Sequence, residues 1–230
     1  MARVTNADPA EAAQGRSVLR FEEYELPPGT IDLRATLGCA APVELDVGFG
    51  KGRSLLEWAA LGRDGTLLGV EIRRGLVERA FERLGRAGAG GVRLLRGDFR
   101  AIVPRLVPGG LVRRCYLHFP DPWWKKRHRK RQVVSGPVVT ELVRLLAPGG
   151  EVCVQTDVPE RAEEFRAALA GAGLEERGWS DGGAGARPFD VRSNREVRCE
   201  AAGVPVYRMT FGKPPPEVGG PEARDEGSSR

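Results

Sequence analysis

The sequence predicts an α/β fold of the doubly wound type, with a mostly parallel sheet and helices on both faces. Short apolar runs alternate along the chain with segments whose apolar residues recur at helical spacing. A glycine-rich loop opens the first helical segment, and a Pro-Gly-Gly turn at residues 148–150 closes a later one. The runs that we interpret as strands are Val43–Val47, Thr66–Ile72, Val92–Leu95, Arg113–Phe119, Glu151–Thr156 and Pro205–Phe211.

Segments with helical spacing follow the first five of these runs. A first helix is predicted over Arg53–Leu61, directly after the glycine loop, and a second over Leu76–Leu84. A third, Val133–Leu146, is stopped by the Pro-Gly-Gly turn, and a fourth covers Ala162–Leu169. Strands joined through helices pair in parallel, which is the basis of the predicted fold class.

We expect one domain over residues 16–211, with disordered segments at 1–15 and 212–230, which are polar or rich in Pro, Gly and acidic residues. The four cysteines are widely spaced in mostly apolar surroundings, which predicts reduced thiols rather than disulfides or a zinc site. The sequence has neither an apolar run of about 18 residues nor a signal sequence. We therefore expect a cytoplasmic protein that does not contact membranes.

Acidic residues recur where the first five predicted strands end. Because the carboxyl ends of parallel strands share one edge of the sheet, these side chains should line a single crevice. Each acid taken alone could be a helix cap or a turn residue, and this applies most to Asp98 and Asp157. The series consists of Asp46, Glu71, Asp98, Asp121 and Asp157.

The loop after the first strand reads Leu-Asp-Val-Gly-Phe-Gly-Lys-Gly at residues 45–52, so that Gly48 and Gly50 allow a ligand to approach the backbone. Its third glycine comes one residue too early for a dinucleotide fingerprint, which opposes a nicotinamide-dependent oxidoreductase, and Gly52-Arg53 lacks the Lys-Ser/Thr of a phosphate loop. An acidic crevice favours S-adenosylmethionine, which carries a sulfonium and an ammonium but no phosphate. Glu71 should accept hydrogen bonds from its ribose hydroxyls and Asp98 should face its adenine amine; no metal is expected.

A dense cationic run with two indoles follows the fourth strand. Residues 118–131 read His-Phe-Pro-Asp-Pro-Trp-Trp-Lys-Lys-Arg-His-Arg-Lys-Arg, in a chain of net charge +5 and pI about 9.3. Cations neutralise phosphates and indoles stack on bases, which indicates nucleic acid, although a solvated charged face is the plainer interpretation. The residues predicted to dock RNA are Trp123, Lys126, Arg127, Arg129, Lys130 and Arg131.

Together these motifs resemble the bacterial tRNA (guanine-N7-)-methyltransferases of the TrmB type, over roughly residues 16–211. Residues 45–52 are similar to the cofactor loop of that family, residues 69–72 to its ribose strand, and residues 119–128 to its Pro-Asp-Pro-Trp-Trp hallmark. Gln-Thr-Asp-Val at 155–158 and Pro-Val-Tyr-Arg at 205–208 also fit.

The resemblance implies a Rossmann-like class I S-adenosylmethionine-dependent methyltransferase fold with a seven-stranded sheet. It implies tRNA as partner and a variable-loop guanosine, number 46 in tRNA, as the methyl acceptor, with no obligate protein partner. Arg195 and Phe99 depart from the family, which usually has an aromatic residue and often Ala at these positions. By resemblance, S-adenosylmethionine contacts Asp46, Glu71, Asp98 and the catalytic Asp121, and RNA contacts Lys125, Asp157, Ser193, Asn194, Arg195 and Glu196.

Guanine N7 carries a lone pair and no proton, so direct attack on the methyl group needs no strong general base. We hypothesise that Asp121 orients the guanine through its N–H groups and offsets the positive charge that develops. An amino-group methyltransferase is an alternative, although the Asp-Pro-Pro-aromatic pattern of that class is broken here. An RNA-binding protein that has kept a methyltransferase scaffold is another.

Overall fold

The computed structural model describes residues 28–120, 134–182 and 189–215. The strands in these ranges are β1 (Ile31–Asp32), β2 (Val43–Val47), β3 (Thr66–Glu71), β4 (Val92–Arg96), β5 (Leu106–Val107), β6 (Val112–His118), β7 (Leu146–Thr156), β8 (Glu175–Gly182) and β9 (Val206–Gly212). The α-helices are α1 (Arg53–Ala60), α2 (Arg74–Arg86), α3 (Phe99–Ile102), α4 (Gly136–Leu145), α5 (Pro159–Gly171) and α6 (Asn194–Ala201).

Seven of these strands form one sheet in the order β4-β3-β2-β6-β7-β9-β8. The five from β4 to β7 are parallel, whereas β9 runs antiparallel to both of its neighbours, β7 and β8. The short strands β1 and β5 pair with each other in a separate parallel ribbon. The predicted α/β class and the mostly parallel seven-stranded sheet are confirmed.

Both faces of the sheet are covered, which explains why every residue of β2 and β3 is buried. On one face, apolar residues of α1 and α2, together with Phe189 and Val191, pack on β3, β4 and β6. On the other face, α3, α4, α5 and the segment from Ile31 to Cys39 form the larger core cluster. A chain that alternates strands and helices has thus placed helices on both sides.

The strand order reverses between β2 and β6. The chain progresses outward from β2 to β3 and β4 on one side, and from β6 to β7 on the other. Connections that leave in opposite directions open a crevice beyond the carboxyl ends of the two central strands. This crevice is where the predicted acidic residues should meet.

The structure differs from the sequence prediction in several details, among them the short strands β1 and β5 and the short helix α3, which were not predicted. The Pro-Gly-Gly turn does not follow the end of a helix as a separate loop: α4 ends at Leu145, β7 begins at once, and residues 147–150 form a bulge between the pairs Val112–Leu146 and Arg114–Glu151. Strand β8 was not predicted, because its sequence Glu-Glu-Arg-Gly-Trp-Ser-Asp-Gly lacks apolar alternation. Helix α6, which buries few apolar side chains, was not predicted either.

Candidate active site at the carboxyl edge of the sheet

The glycine loop leaves the end of β2 and returns into α1. Gly48, Gly50 and Gly52 have φ values of 73°, 58° and 71°, a region in which side chains are strained. The N–H of Gly48 donates to the carbonyl of Val70 at 2.7 Å, which fixes the loop to β3. A Cβ atom added at Gly48 would meet nothing within 4 Å, so the backbone there borders open space.

Asp46 lies beneath this loop and is completely buried. The hydroxyl of Ser54, on α1, donates to Oδ2, while Oδ1 has no hydrogen-bond partner in the part of the chain that the structure describes. Burial, helped by the negative charge of Glu71, raises the pKa of Asp46 to about 7 against the hydrogen bond from Ser54. A carboxylate that is removed from water and has one oxygen without a hydrogen bond would be stabilised by a nearby cation.

Glu71, at the end of β3, joins the strand to the glycine loop. Its Oε2 accepts a hydrogen bond from the N–H of Gly50 at 3.1 Å, and its Oε1 accepts one from the N–H of Arg73 at 3.0 Å. The side chain is 3% exposed. Nε of Arg73 also lies 3.4 Å from Oε1, so Oε2 is the oxygen whose second lone pair is compatible with a predicted bond from a ribose hydroxyl.

Ile72 lies beside these acids and was not among the residues predicted for the site. It follows Glu71 directly and is 58% exposed, although the preceding residues of β3 are all buried. An exposed aliphatic side chain beside the Glu71 carboxylate offers an apolar surface against which a flat ring could pack. The signal was present in the sequence as an apolar residue beyond the acid that ends the strand.

Asp98 acts as the N-cap of α3, the alternative role that the sequence left open. Its Oδ1 accepts hydrogen bonds from the backbone N–H of Arg100 at 3.0 Å and from Nε of the same residue at 2.9 Å. These hydrogen bonds from Arg100 lower the pKa of Asp98, and the side chain remains 32% exposed. The contact with an adenine amine stays a prediction.

On the other side of the crevice, Asp157 follows β7 and pairs with Arg195 of α6. Nη2 of Arg195 lies 3.0 Å from Oδ1 and 2.6 Å from Oδ2 of Asp157, and Nε lies 3.2 Å from Oδ2. The guanidinium carbon of Arg195 lies 5.4 Å from the ring centroid of Phe119, at the end of β6. Phe119 has φ of 52°, which is rare for an aromatic residue and turns the chain sharply as it leaves the sheet.

Ser193 and Glu196 are buried inside the protein, at 8% and 0% exposure. They form a capping box at the start of α6: Ser193 Oγ accepts from the N–H of Glu196 at 3.1 Å, and Glu196 Oε2 accepts from the N–H of Ser193 at 3.3 Å. Direct contact of these two side chains with RNA was implied by resemblance and stays untested. In this structure the hydroxyl of Ser193 and the carboxylate of Glu196 make hydrogen bonds to other groups of the protein.

Glu196 is the centre of a buried polar network that the sequence did not reveal. Its Oε1 accepts hydrogen bonds from Arg208 Nε at 3.1 Å and Nη2 at 2.9 Å, and its Oε2 accepts one from Gln155 Nε2 at 3.1 Å. Gln155 Nε2 also lies 2.7 Å from Nδ1 of His118. If the Gln155 amide were flipped, its oxygen would face the carboxylate of Glu196, which would be repulsive. The amide nitrogen therefore faces both Glu196 and His118, and it donates a hydrogen bond to Nδ1 of His118. The network spans β6, β7, β9 and α6 and fixes the end of β6.

Asn194, also predicted as a substrate contact, is the first residue of α6, and its buried Oδ1 has no hydrogen-bond partner among the described residues. The other predicted site residues lie outside the described ranges: Asp121, Trp123, Lys125, Lys126, Arg127, Arg129, Lys130 and Arg131. Across residues 28–120, 134–182 and 189–215, no group of three or more His, Cys, Asp and Glu side chains has the arrangement of a metal site. Within those same ranges, none of the helices has the length and apolarity that crossing a bilayer requires.

The sequence of this chain is similar to those of known proteins. The family model described as "Putative methyltransferase" matches residues 40–209. The tRNA (guanine-N(7)-)-methyltransferase of Myxococcus xanthus is 35% identical over 196 residues, which cover 85% of this chain and 94% of the relative. The enzyme of the same name from Anaeromyxobacter dehalogenans is 36% identical over 79% of this chain and 91% of its own length.

A solved structure supports the fold independently. The 16S rRNA methyltransferase KamB aligns with a TM-score of 0.55 over 93% of this chain and 97% of its own, at 17% identity. Identity this low supports the fold alone, and that fold agrees with the sheet described above. The relatives extend the agreement to sequence over most of both chains, and they confirm the resemblance seen in the motifs. The chain therefore belongs to the tRNA (guanine-N7-)-methyltransferase family.

Proposed function

We propose that this chain transfers a methyl group from S-adenosylmethionine to N7 of a guanosine in the tRNA variable loop, guanosine 46. The observation that carries the proposal is the carboxylate of Asp46, which is fully buried beneath an open glycine loop and has one oxygen without a partner among the described residues. Membership of the family supplies the reaction and the substrate class.

The residues at this edge fit a cationic cofactor. A cation close to Asp46 would favour the ionised carboxylate, whose pKa burial has raised to about 7, and would use the idle Oδ1. A pyrophosphate would be repelled by Asp46 and Glu71. Asp46, Gly48, Gly50 and Glu71 would hold the cofactor, with Ile72 against its purine. The bound cofactor supplies a methyl group activated by its sulfonium.

The protein has little acid–base chemistry to perform. Guanine N7 attacks with an in-plane lone pair, and the positive charge passes to the base, so orientation and charge stabilisation account for the catalysis. Asp121 is proposed to offset this charge, and Lys125 to anchor the RNA. His118 is not needed as a proton shuttle, and its Nδ1 already faces the Gln155 amide at 2.7 Å.

The test is to incubate the full chain with an unmodified tRNA transcript and methyl-labelled S-adenosylmethionine and to digest the product to nucleosides. We expect labelled 7-methylguanosine, and a transcript with adenosine at position 46 should accept no label. A label on an exocyclic amine would support the amino-group alternative instead. Binding of tRNA without any transfer would support a non-catalytic RNA-binding protein.

A further inference from the structure

Residues 189–193 form a segment that runs along α1 and β6 and then enters α6, and we call this segment the strap. We propose that Glu57 of α1 positions α6 through the strap, so that binding of the cofactor beside α1 raises the affinity of the chain for tRNA. The inference rests on the proposed function and deepens it, because it adds a coupling between the cofactor site and the RNA side of the crevice.

Glu57 lies on the second turn of α1 and holds the strap by its backbone. Its Oε2 accepts a hydrogen bond from the N–H of Arg192 at 2.7 Å, although the two residues are 135 positions apart in the sequence. Its Oε1 lies 3.3 Å from Nη2 of Arg192 and accepts a hydrogen bond from Nε of Arg53 at 2.8 Å. A bond to the backbone fixes the path of the chain itself, and Arg192 directly precedes the residue that caps α6. The position of Glu57 therefore determines where the chain enters α6.

The beginning of the strap is held against the same face of the sheet. Phe189 is buried, and its ring centroid lies 6.3 Å from that of Tyr116 and 5.9 Å from that of His118, both on β6. Asp190 forms an ion pair with Arg63, in the loop that follows α1. Closely packed groups of this kind transmit a displacement instead of absorbing it. A shift of α1 should therefore reach α6 through the strap.

The first turn of α1 belongs to the proposed cofactor site. The helix begins directly after the glycine loop, and the hydroxyl of Ser54 donates to Oδ2 of the buried Asp46. A cation that binds next to Asp46 favours the charged carboxylate, and a hydrogen bond to a charged acceptor is stronger and shorter than one to a neutral acceptor. Cofactor binding should therefore draw the first turn of α1 towards β2. Glu57 lies three residues after Ser54, on the same side of the helix, so it moves with it.

At its other end the strap leads into residues that were predicted to contact RNA. Ser193 begins the capping box of α6, and Nη2 of Arg195 lies 2.6 Å from the carboxylate of Asp157. A partner binds more tightly to a surface that is already in its bound position, since less of that surface has to be ordered on binding. Cofactor binding that fixes α1, the strap and α6 should therefore tighten the binding of tRNA.

A role of Glu57 in stability alone predicts a different result. If Glu57 only held the fold together, its loss would weaken each binding site by a factor that does not depend on whether the other site is filled. If Glu57 couples the sites, its loss changes the effect of one ligand on the other. This effect is the ratio of the tRNA affinities with and without a ligand in the cofactor site, and we call it the coupling factor.

The experiment measures the affinity of the full chain for an unmodified tRNA transcript by fluorescence anisotropy, with and without saturating sinefungin. This analogue of S-adenosylmethionine has an amine-bearing carbon in place of the methylated sulfur, so it keeps both positive charges and transfers no methyl group. For the unaltered chain we expect a coupling factor of roughly 10. For Glu57→Ala we expect a factor below about 2, because the N–H of Arg192 loses its acceptor. The same factor in both proteins would overturn the proposal.

Glu78→Ala is the matched control. Glu78 is the acid of the corresponding pair on α2, where its Oε1 lies 2.7 Å from Nε of Arg74, four residues earlier in the same helix. The variant thus removes the same charge from the neighbouring helix and should keep the coupling factor of the unaltered chain. A factor that falls as far in Glu78→Ala as in Glu57→Ala would show that any lost helix acid has this effect, and the proposal would be wrong.

Two milder changes at Glu57 separate its charge from its reach and keep the test possible if Glu57→Ala does not fold. Glu57→Gln keeps an oxygen that can accept from the N–H of Arg192, so most of the coupling should remain. Glu57→Asp keeps the charge but withdraws the carboxylate by one methylene group, so the coupling factor should fall. Loss of coupling in Glu57→Gln together with its retention in Glu57→Asp would refute a role of the backbone bond.

Failures of the two proposals can be separated. Coupling is reciprocal, so tRNA must raise the affinity for sinefungin, measured by calorimetry, by the same factor. If the unaltered chain forms no 7-methylguanosine from S-adenosylmethionine and tRNA, the proposed function is wrong and this inference falls with it. If it forms 7-methylguanosine but sinefungin leaves its tRNA affinity unchanged, only the inference is wrong.

Discussion

Replacing Glu196 by Ala tests whether this residue acts inside the fold. Glu196 is completely buried, and its carboxylate accepts hydrogen bonds from Arg208, Gln155 and Ser193. The guanidinium of Arg208 is itself only 6% exposed. Removing the carboxylate leaves a buried cation without its main partner and helix α6 without half of its capping box.

The magnitude follows from the partners that Arg208 keeps. Removing one partner of a buried ion pair costs about 3–5 kcal/mol. Arg208 would retain Glu200 Oε1 and the carbonyl of Val206, each at 3.1 Å, which places the expected loss near the lower end, at about 3 kcal/mol. The loss of the cap, about 1 kcal/mol alone, is part of the same cluster and should not be added in full.

The assay is urea denaturation followed by circular dichroism, with Glu200→Ala as the control. Glu200 pairs with the same Arg208 from the same helix but is 40% exposed, so its removal should cost less than about 1 kcal/mol. Affinity for S-adenosylmethionine should not change in either variant, because Asp46 and Glu71 lie on other strands. Equally small losses of stability in both variants, with tRNA affinity lost only in Glu196→Ala, would show that Glu196 acts on RNA and not inside the fold.

Burial raises the pKa of Asp46 from its ordinary value of 3.8 to about 7 in the folded protein. Ionisation of Asp46 therefore destabilises the fold increasingly as the pH rises from about 4 to 7. The free energy of unfolding of Asp46→Asn, measured by urea titration, should therefore increase by on the order of 3 kcal/mol relative to that of the unaltered chain across this range. The affinity of the unaltered chain for S-adenosylmethionine, measured by calorimetry, should rise up to about pH 7. Gly69→Ala should lower the free energy of unfolding by about 1–3 kcal/mol, because its Cβ would lie 2.8 Å from Cδ1 of buried Phe49. Arg127→Ala combined with Arg129→Ala should weaken tRNA binding and flatten its dependence on salt, as measured by filter binding, while sparing cofactor affinity.

Each of these predictions has an outcome that contradicts it. A pH-independent difference between Asp46→Asn and the unaltered chain would show that Asp46 does not titrate in this range. Gly85→Ala is the control for Gly69→Ala, since nothing lies within 4 Å of its Cβ position, and it should stabilise α2 by about 0.5–1 kcal/mol. Unchanged salt dependence in the double arginine variant would place tRNA docking elsewhere.

The strands and helices whose sequences follow a regular apolar pattern could be predicted. Strands β2 and β3 are buried on both faces and read as continuous apolar runs, and α1 and α2 have clear apolar stripes. Strand β8 was not predictable, because Glu175 and Glu176 are exposed and its position depends on pairing with β9. Tertiary pairing there overrides local preference.

The candidate site also contains residues that could be predicted from the sequence and residues that could not. The carboxylates of Asp46 and Glu71 could be placed from the strand ends alone, since parallel strands share an edge. The partners of Glu196 could not, because Gln155 lies 41 residues before it, and the pairing of β7 with β9 is what brings Gln155 and Arg208 to the same carboxylate. A buried Gln and a buried Arg inside apolar strands are the signal that could have indicated a network.

The position of β9 has a consequence for how the protein is made. This strand comes last in the described part of the chain, yet it lies between β7 and β8 and pairs with both. A growing polypeptide on the ribosome therefore holds β7 and β8 with unpaired edges until residues 206–212 emerge, and open edges invite aggregation. Chain termination shortly before Val206 should yield insoluble product, whereas loss of residues beyond Pro215 should leave all seven strands paired.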